Sequence, residues 1–439
     1  MADRMGGVRS HGARFCGSAA WARAVSNPLL TPGGRPPEPR RSPFRRPLIG
    51  DDPRTPAALA AMMPRDGLIL PRYGEAAISD LFPSVLAAQG VEGESNRLGL
   101  PAARRYVVQL IDALGWQLLH RHASEAPFLS SLLADAQPLT AGVPSTTATS
   151  LAGLGTGLEP GRHGVVGYTM EIPGSGKLLN TLHWDSGVAP REWQPYATAF
   201  ERAEAAGVAM TSVSKTAFRG SGITVAGLRG GTYVEADSIG QRTARVAEAS
   251  AAAERSLVYV YEGDLDWTGH REGCDSAALR NQLAIIDASL ARLRAVLPAD
   301  AVLLITGDHG MVDVPFGSRI DVDAEPALSI GVRLVGGDPR LRYLYTVPGA
   351  ADDVAGSWRE RLAVRGLDAV VLTRAEAIEA GWFGLVEDRV LPRIGDVIIA
   401  SIGSTAVECG RVFPNETKLV GWHGSLTRDE MLVPLLMSA

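Results

Sequence analysis

The stretch Ala301–Asp313, AVLLITGDHGMVD, joins an apolar run directly to two side chains that can bind metal. Val302, Leu303, Leu304 and Ile305 carry no polar alternation, the pattern of a strand buried on both faces. Gly307 stops the strand, Asp308 and His309 follow at once, and Gly310 closes the turn. In open α/β sheets, ligands bind in the crevice outside the carboxyl ends of the strands. A lone Asp-His pair here is ordinarily a strand cap, so its meaning depends on partners elsewhere in the chain.

Partners recur in the same setting. Tyr106–Ile111, YVVQLI, is a second apolar strand and ends in Asp112, with Gly115 opening the next turn. An Asp at this place serves equally well to cap the following helix. Ser256–Tyr261, SLVYVY, runs into Glu262–His270, where Asp266 and His270 lie four apart, Gly269 allows a bend between them and Asp264 is a rival ligand. Near the C-terminus, His423 sits in Gly421-Trp422-His423-Gly424. The run Pro144–Ser150, PSTTATS, opens a helix of small residues through Gly155. Hydroxyls at a helix start are usually N-caps. The same place suits a nucleophile, because a helix N-terminus offers free N–H groups and a positive dipole end to a phosphate-like anion. His120 and His122 read as exposed, and His163 as a structural hydrogen bonder.

Around these segments the pattern is α/β. Leu279, Leu283, Ile286, Leu290, Leu293 and Leu297 mark one buried helical face. Ala209–Val213 and Ile223–Leu228 read as strands, and Met170–Trp193 as surface loops. Residues 316–393 read as a small α/β insertion without a ligand cluster, after which Asp396–Ser401 is expected to return to the main sheet. The apolar run Met431–Met437 closes the chain.

Composition excludes several classes. Of 439 residues, 46% are hydrophobic and 21% charged, an ordinary globular balance. A net charge of -5 gives no case for nucleic-acid binding. Cys16, Cys274 and Cys409 form no CxxC pair and no disulfide framework. No apolar stretch is long enough to span a bilayer, and no signal peptide is visible, so a cytoplasmic location is expected. Residues 1–61 carry ten Arg and no Lys and are rich in Pro and Gly. They read as a disordered extension preceding a catalytic domain over 62–439.

Collected, the candidates are Asp112, Thr147, Asp266, His270, Asp308, His309 and His423. Oxygen and imidazole donors without thiolate suit Zn²⁺, with Mn²⁺ the other candidate. Six such ligands and a hydroxyl are too many for one tetrahedral site and suit two metals bridging a phosphoryl group.

The segments VVQLIDALGW, PSTTATSLAGLGTGLEPGRHG, DLDWTGH, LLITGDHGMVD and WHG, in this order, resemble the type I phosphodiesterase/nucleotide pyrophosphatase branch of the alkaline phosphatase superfamily. They span Tyr106 to Gly424. The resemblance implies a central, mostly parallel sheet flanked by helices and a dinuclear zinc centre. It assigns Asp266, His270 and His423 to one zinc, and Asp112, Asp308 and His309 to the other, with the nucleophile Thr147 beside it. It further implies hydrolysis of phosphodiester or pyrophosphate bonds in nucleotides or related small molecules through a phosphothreonine intermediate. Ser150 is a departure: relatives carry Asn three residues after the nucleophile, and the resemblance makes Ser150 a substrate-binding residue whose shorter side chain reaches a phosphoryl oxygen through a water or in a shifted pose. The Cys-x-Pro-x-Arg pattern of sulfatases is missing. The remaining readings are a phosphomonoesterase, phosphonate hydrolase or phosphomutase of the same superfamily, and a metal-stabilised binding protein. The sequence does not give the oligomeric state.

Overall fold

A computed structural model describes residues 67–184 and 187–439. The extension read over residues 1–61 lies outside the described residues. In chain order, the strands that build the two main sheets are β1 (Arg105–Ile111), β2 (Gln137–Thr140), β3 (Ala209–Ser214), β4 (Thr232–Glu235), β5 (Ser256–Glu262), β6 (Ala301–Thr306), β7 (Val332–Asp338), β8 (Leu341–Thr346), β9 (Ala369–Thr373), β10 (Val397–Ser401) and β11 (Leu432–Ser438). The helices used below are α1 (Thr147–Thr156), α2 (Asp264–Glu272), α3 (Ala277–Val296) and α4 (Ala351–Arg365).

The central sheet has seven strands in the order β2-β11-β6-β1-β5-β3-β4. From β6 through β4 every pairing is parallel. The C-terminal β11 lies antiparallel between β6 and β2. This is the mostly parallel sheet expected from the motifs.

Why the interior strands lack polar alternation is visible in where their residues go. Val107, Val258, Val260, Leu303 and Ile305 enter one core layer, which is closed by Leu279, Leu283, Ile286, Leu290 and Leu293 of α3. Tyr106, Val108, Leu110, Leu257, Tyr259, Val302 and Leu304 enter the opposite layer, against Phe82, Leu151 and Phe200. Side chains alternate across the sheet, but both faces are covered, so the strand interiors are apolar on both, with Gln109 of β1 a buried exception. The sheet's C-terminal edge is where β1, β5 and β6 release Asp112, α2 and Asp308-His309.

The smaller sheet is antiparallel, in the order β7-β8-β10-β9. Its alternation is strict. Tyr343, Tyr345, Val370, Leu372, Ile398 and Ala400 face the domain that carries α1, while Leu344, Val371, Val397 and Ile399 pack under Trp358 and Leu362 of α4. The expected return of Asp396–Ser401 to the main sheet is therefore corrected: β10 pairs with β8 and β9. A five-residue apolar run does not say which sheet receives it.

Two further expectations change. Ile223–Leu228 is not a strand but part of a helix, Gly222–Gly227, started by the Ser221 side chain accepting from the Thr224 N–H. Its Gly227 lies against α1, where a Cβ on Gly155 would sit 1.9 Å from the Gly227 carbonyl oxygen. Met170–Trp193 is not simply surface loop. It contains the hairpin Thr169–Ile172/Lys177–Asn180, and Met170, Leu179 and Trp193 are buried. Among the described residues no helix is long and apolar enough to cross a membrane.

Candidate active site

Five chain segments converge at the sheet edge, and glycine makes the approach possible. A Cβ on Gly307 would lie 2.3 Å from the Leu114 carbonyl oxygen, and one on Gly310 would lie 1.8 Å from that of Asp429. No larger residue fits on either side of the Asp308-His309 pair. The turn after β1 is tight as well: Ala113 takes φ 62°, a left-handed conformation that costs a non-glycine residue roughly 1 kcal/mol. In that conformation its N–H reaches Asp308 Oδ1 at 3.1 Å.

The donors fall into two groups. Asp112, Asp308 and His309 form a fully buried trio, and Asp266, His270 and His423 form a half-buried one, each with ligand atoms within 4.8 Å of one another. In the first, His309 Nε2 lies 3.3 Å from Asp112 Oδ1 and 3.6 Å from Asp308 Oδ2. In the second, Asp266 and His270 stand one turn apart on α2, with Asp266 Oδ1 3.4 Å from His270 Nε2 and 3.8 Å from His423 Nε2. The bend anticipated at Gly269 is absent, because α2 is continuous from Asp264 to Glu272. The i, i+4 spacing alone brings the two side chains together. The rings of His309 and His423 stack at 3.7 Å with an interplanar angle of 14°, so the two trios are neighbours.

The three histidines of the two trios are prepared in the same way. The Nδ1–H groups of His270, His309 and His423 donate to the carbonyls of Gly421 (2.7 Å), Gly310 (3.0 Å) and Ser145 (3.0 Å). A carbonyl only accepts, so each Nδ1 carries the proton and each Nε2 keeps its lone pair. Burial, with His309 and His270 nearby, holds His423 well below the usual histidine range, in its neutral ligating form. The carboxylates complete the pattern: Asp112 Oδ1, Asp266 Oδ1 and Asp308 Oδ2 are buried without a hydrogen-bond partner among the described residues. Burial pushes the Asp112 carboxyl well up, reinforced by the charges of Asp266 and Asp308. Burial likewise raises Asp308, partly countered by His309. Orphaned, crowded carboxylates are costly unless a cation is held among them. The donor set thus fits divalent metal ions.

Thr147 is the first residue of α1 and the only partly exposed hydroxyl in the run Ser145–Ser150. Its Oγ1 lies 3.2 Å from His309 Nε2. Thr146 precedes it without making a side-chain cap, so the first-turn N–H groups stay available to an anion.

Ser150 is placed differently from the expectation of substrate contact. It is fully buried, and its hydroxyl donates to the Asp308 carbonyl at 2.7 Å. Ser150→Ala is therefore expected to lower stability by about 1 kcal/mol and leave KM for a phosphodiester unchanged, checked by denaturant midpoint and initial rates. Asp264, the rival ligand, is taken by Lys215 at 2.5 Å. His122 is buried rather than exposed, its Nε2 at 2.8 Å from the Cys274 carbonyl oxygen, while His120 is exposed as expected. His163 is fully buried and its Nδ1 accepts from the Val165 N–H at 3.1 Å, a structural role.

Tyr261 escaped the sequence reading. It stands one residue before the end of β5 in an apolar run and reads as core, yet its hydroxyl donates to Asp112 Oδ2. Its only signal was position, the last aromatic before the Asp266 segment.

With this geometry in place, comparison with known proteins is informative. The model of the family described as type I phosphodiesterase/nucleotide pyrophosphatase matches residues 106–426. No curated protein matches the sequence. Among solved structures, murine ectonucleotide pyrophosphatase/phosphodiesterase 5 matches with a TM-score of 0.60 and 19% identity, over 75% of this chain and 87% of its own. Phosphonoacetate hydrolase from Sinorhizobium meliloti, in complex with phosphonoformate, matches with a TM-score of 0.58 and 19% identity, over 77% of this chain and 90% of its own. At these identities the two structures speak for the fold.

Proposed function

Because the chain belongs to the type I phosphodiesterase/nucleotide pyrophosphatase family and is a hydrolase of that kind, we propose that it cleaves phosphodiester or pyrophosphate bonds of nucleotides or related small molecules, with Thr147 as nucleophile. The observation that carries this reading is the position of Thr147 Oγ1, 3.2 Å from His309 Nε2 at the uncapped start of α1. Two donor trios adjoin it. Asp266, His270 and His423 would hold one zinc ion, and Asp112, Asp308 and His309 the other. When bound, zinc supplies Lewis acidity, lowering the pKa of a hydroxyl and offsetting charge on phosphoryl oxygens. Three protein donors per ion, without thiolate, is the pattern of catalytic rather than structural sites.

The chain's own residues do the rest. Thr147 Oγ, deprotonated, attacks phosphorus, and the bond to the leaving oxygen breaks, giving a phosphothreonine. The free N–H groups of α1 face the developing negative charge, where preorganised donors are most effective. Water then hydrolyses the phosphothreonine and restores the Thr147 hydroxyl. Tyr261 and the Ala113 N–H hold Asp112 and Asp308 in place by donating to one oxygen of each. One structural neighbour supports the ligand class: murine ectonucleotide pyrophosphatase/phosphodiesterase 5 is also known as an inactive threonine-to-alanine variant in complex with AMP.

Cation supply favours diesters. A monoester carries nearly two negative charges and benefits from an added cation near its terminal oxygens. Ala148, Thr149 and Ser150 supply none, Lys215 is held by Asp264, and Arg162 lies over the Tyr196 ring at 5.3 Å. With a common p-nitrophenyl leaving group and matched zinc content, the diester is expected to show about tenfold or higher kcat/KM than the monoester, near 1.4 kcal/mol in barrier. A monoester preference would overturn the substrate class.

A further inference from the structure

We infer that the smaller sheet positions the candidate metal ligand His423, through an ion pair between Arg340 and Glu430, so that one metal position is assembled jointly by the two sheets. The inference rests on the proposed metal-dependent function. His423 lies on the connection between Gly421–Trp422 and the helix Arg428–Met431. That connection has almost no regular structure of its own, and its backbone groups must be satisfied from outside.

Two sets of bonds do this. On one side, Ser145, two residues before Thr147, donates its N–H to the Gly424 carbonyl (3.1 Å) and its hydroxyl to the Ser425 carbonyl (2.6 Å). Its own carbonyl receives His423 Nδ1–H. On the other side, Glu430 accepts from the Ser425 N–H (3.0 Å) and the Thr427 hydroxyl (2.5 Å). The same carboxylate is gripped in two places by Arg340, Nε to Oε1 at 3.1 Å and Nη2 to Oε2 at 2.7 Å. Both side chains are fully buried.

Arg340 belongs to the tight connection between β7 and β8, so the guanidinium is a projection of the smaller sheet. The end of β7 supplies Asp338, whose Cβ would lie 2.9 Å from a Cβ on Gly424. Gly424 takes φ +132°, and the Ser425 hydroxyl donates to Ser401 at the end of β10 (2.6 Å). The His423 segment is thus bonded to the smaller sheet through Glu430–Arg340 and Ser425–Ser401, and lies close against it at Asp338. A planar fork matched to a carboxylate fixes orientation as well as distance, which lysine or a neutral pair does not.

Outer partners of metal ligands typically change metal affinity 10- to 100-fold when lost. The test is zinc titration of the chelated full-length protein against a chromophoric chelator, which resolves two binding steps. Arg340→Met is expected to weaken one step roughly 10- to 100-fold and leave the other within about twofold. Gly424→Ala, which leaves the buried ion pair intact and presses a methyl group toward Asp338, is expected to weaken the same step. In a His423→Ala background, Arg340→Met is expected to add no further loss, since a residue acting through His423 has nothing left to act on. Parallel weakening of both steps, or no change in either for both variants, would overturn the inference while leaving the proposed function standing. A wild-type chain that takes up no zinc would overturn both.

Discussion

Thr147→Ala is expected to leave the protein folded and able to take up metal, and to lower phosphodiester turnover by about 10⁴-fold or more, the scale of losing a nucleophile that acts as part of a unit. The fold should tolerate the change. Ala is the best helix former, position 147 opens α1 rather than sitting in its interior, and Thr147 is only partly buried. The side-chain hydrogen bond it loses is the one to His309. Melting temperature and metal content therefore stay near wild type while turnover collapses. Acid-quenched wild-type protein is expected to carry phosphate on Thr147. Thr146 and Thr149 are buried, so labelling at either would place the nucleophile elsewhere. Loss of metal together with turnover would mean that Thr147 matters as a ligand rather than as the attacking group.

Removal of metal is the second large effect. Chelation is expected to abolish hydrolysis and to lower the melting temperature, because a ligand at a thousand times its Kd contributes about 4 kcal/mol per site to the folded state. The pH dependence of that loss has a definite sign. In the chelated protein, Asp112 and Asp308 have pKa values raised by burial first and then by the charge of Asp266, with Asp308 adding to the rise at Asp112. Above the ordinary Asp value of about 3.9, the folded state then binds more protons than the unfolded state, and stability falls as pH rises through the raised values. His423, with its pKa lowered, works oppositely. Its contribution is lost as pH falls below the unfolded value of about 6.5 and is constant above it. Above that pH the carboxylate effect stands alone. Metal binding requires ionised carboxylates and neutral imidazoles, so affinity grows with pH. The difference in melting temperature between zinc-loaded and chelated protein should widen as pH rises through the raised carboxylate values. Taking the difference cancels groups remote from the site. A gap that stays constant, or narrows, would show that these carboxylates do not hold the metal.

The sequence was enough for features written in local patterns. The unbroken apolar runs of β1, β5 and β6, the four-and-three spacing of α3, and the glycine-flanked Asp308-His309 turn are statements about neighbours a few residues apart. Period and turn chemistry encode such statements directly. The same locality put Asp112, Asp266 and Asp308 after strand ends, and the ordered motifs pointed to the family. What only the tertiary structure decided is long-range partnership and direction. The hydroxyl run at 145–150 is uniform on paper. In space, Ser145 is tied to the His423 segment, Ser150 turns to the Asp308 carbonyl and Thr147 alone faces the site. Val397–Ser401 and Leu432–Ser438 are both apolar runs, yet the first joins the smaller sheet and the second runs antiparallel in the larger one. Nor could spacing reveal that Arg340 reaches Glu430 across 90 residues. Such pairings depend on which buried faces and unsatisfied backbone groups meet after the chain has closed on itself, and no period within a single segment carries that information.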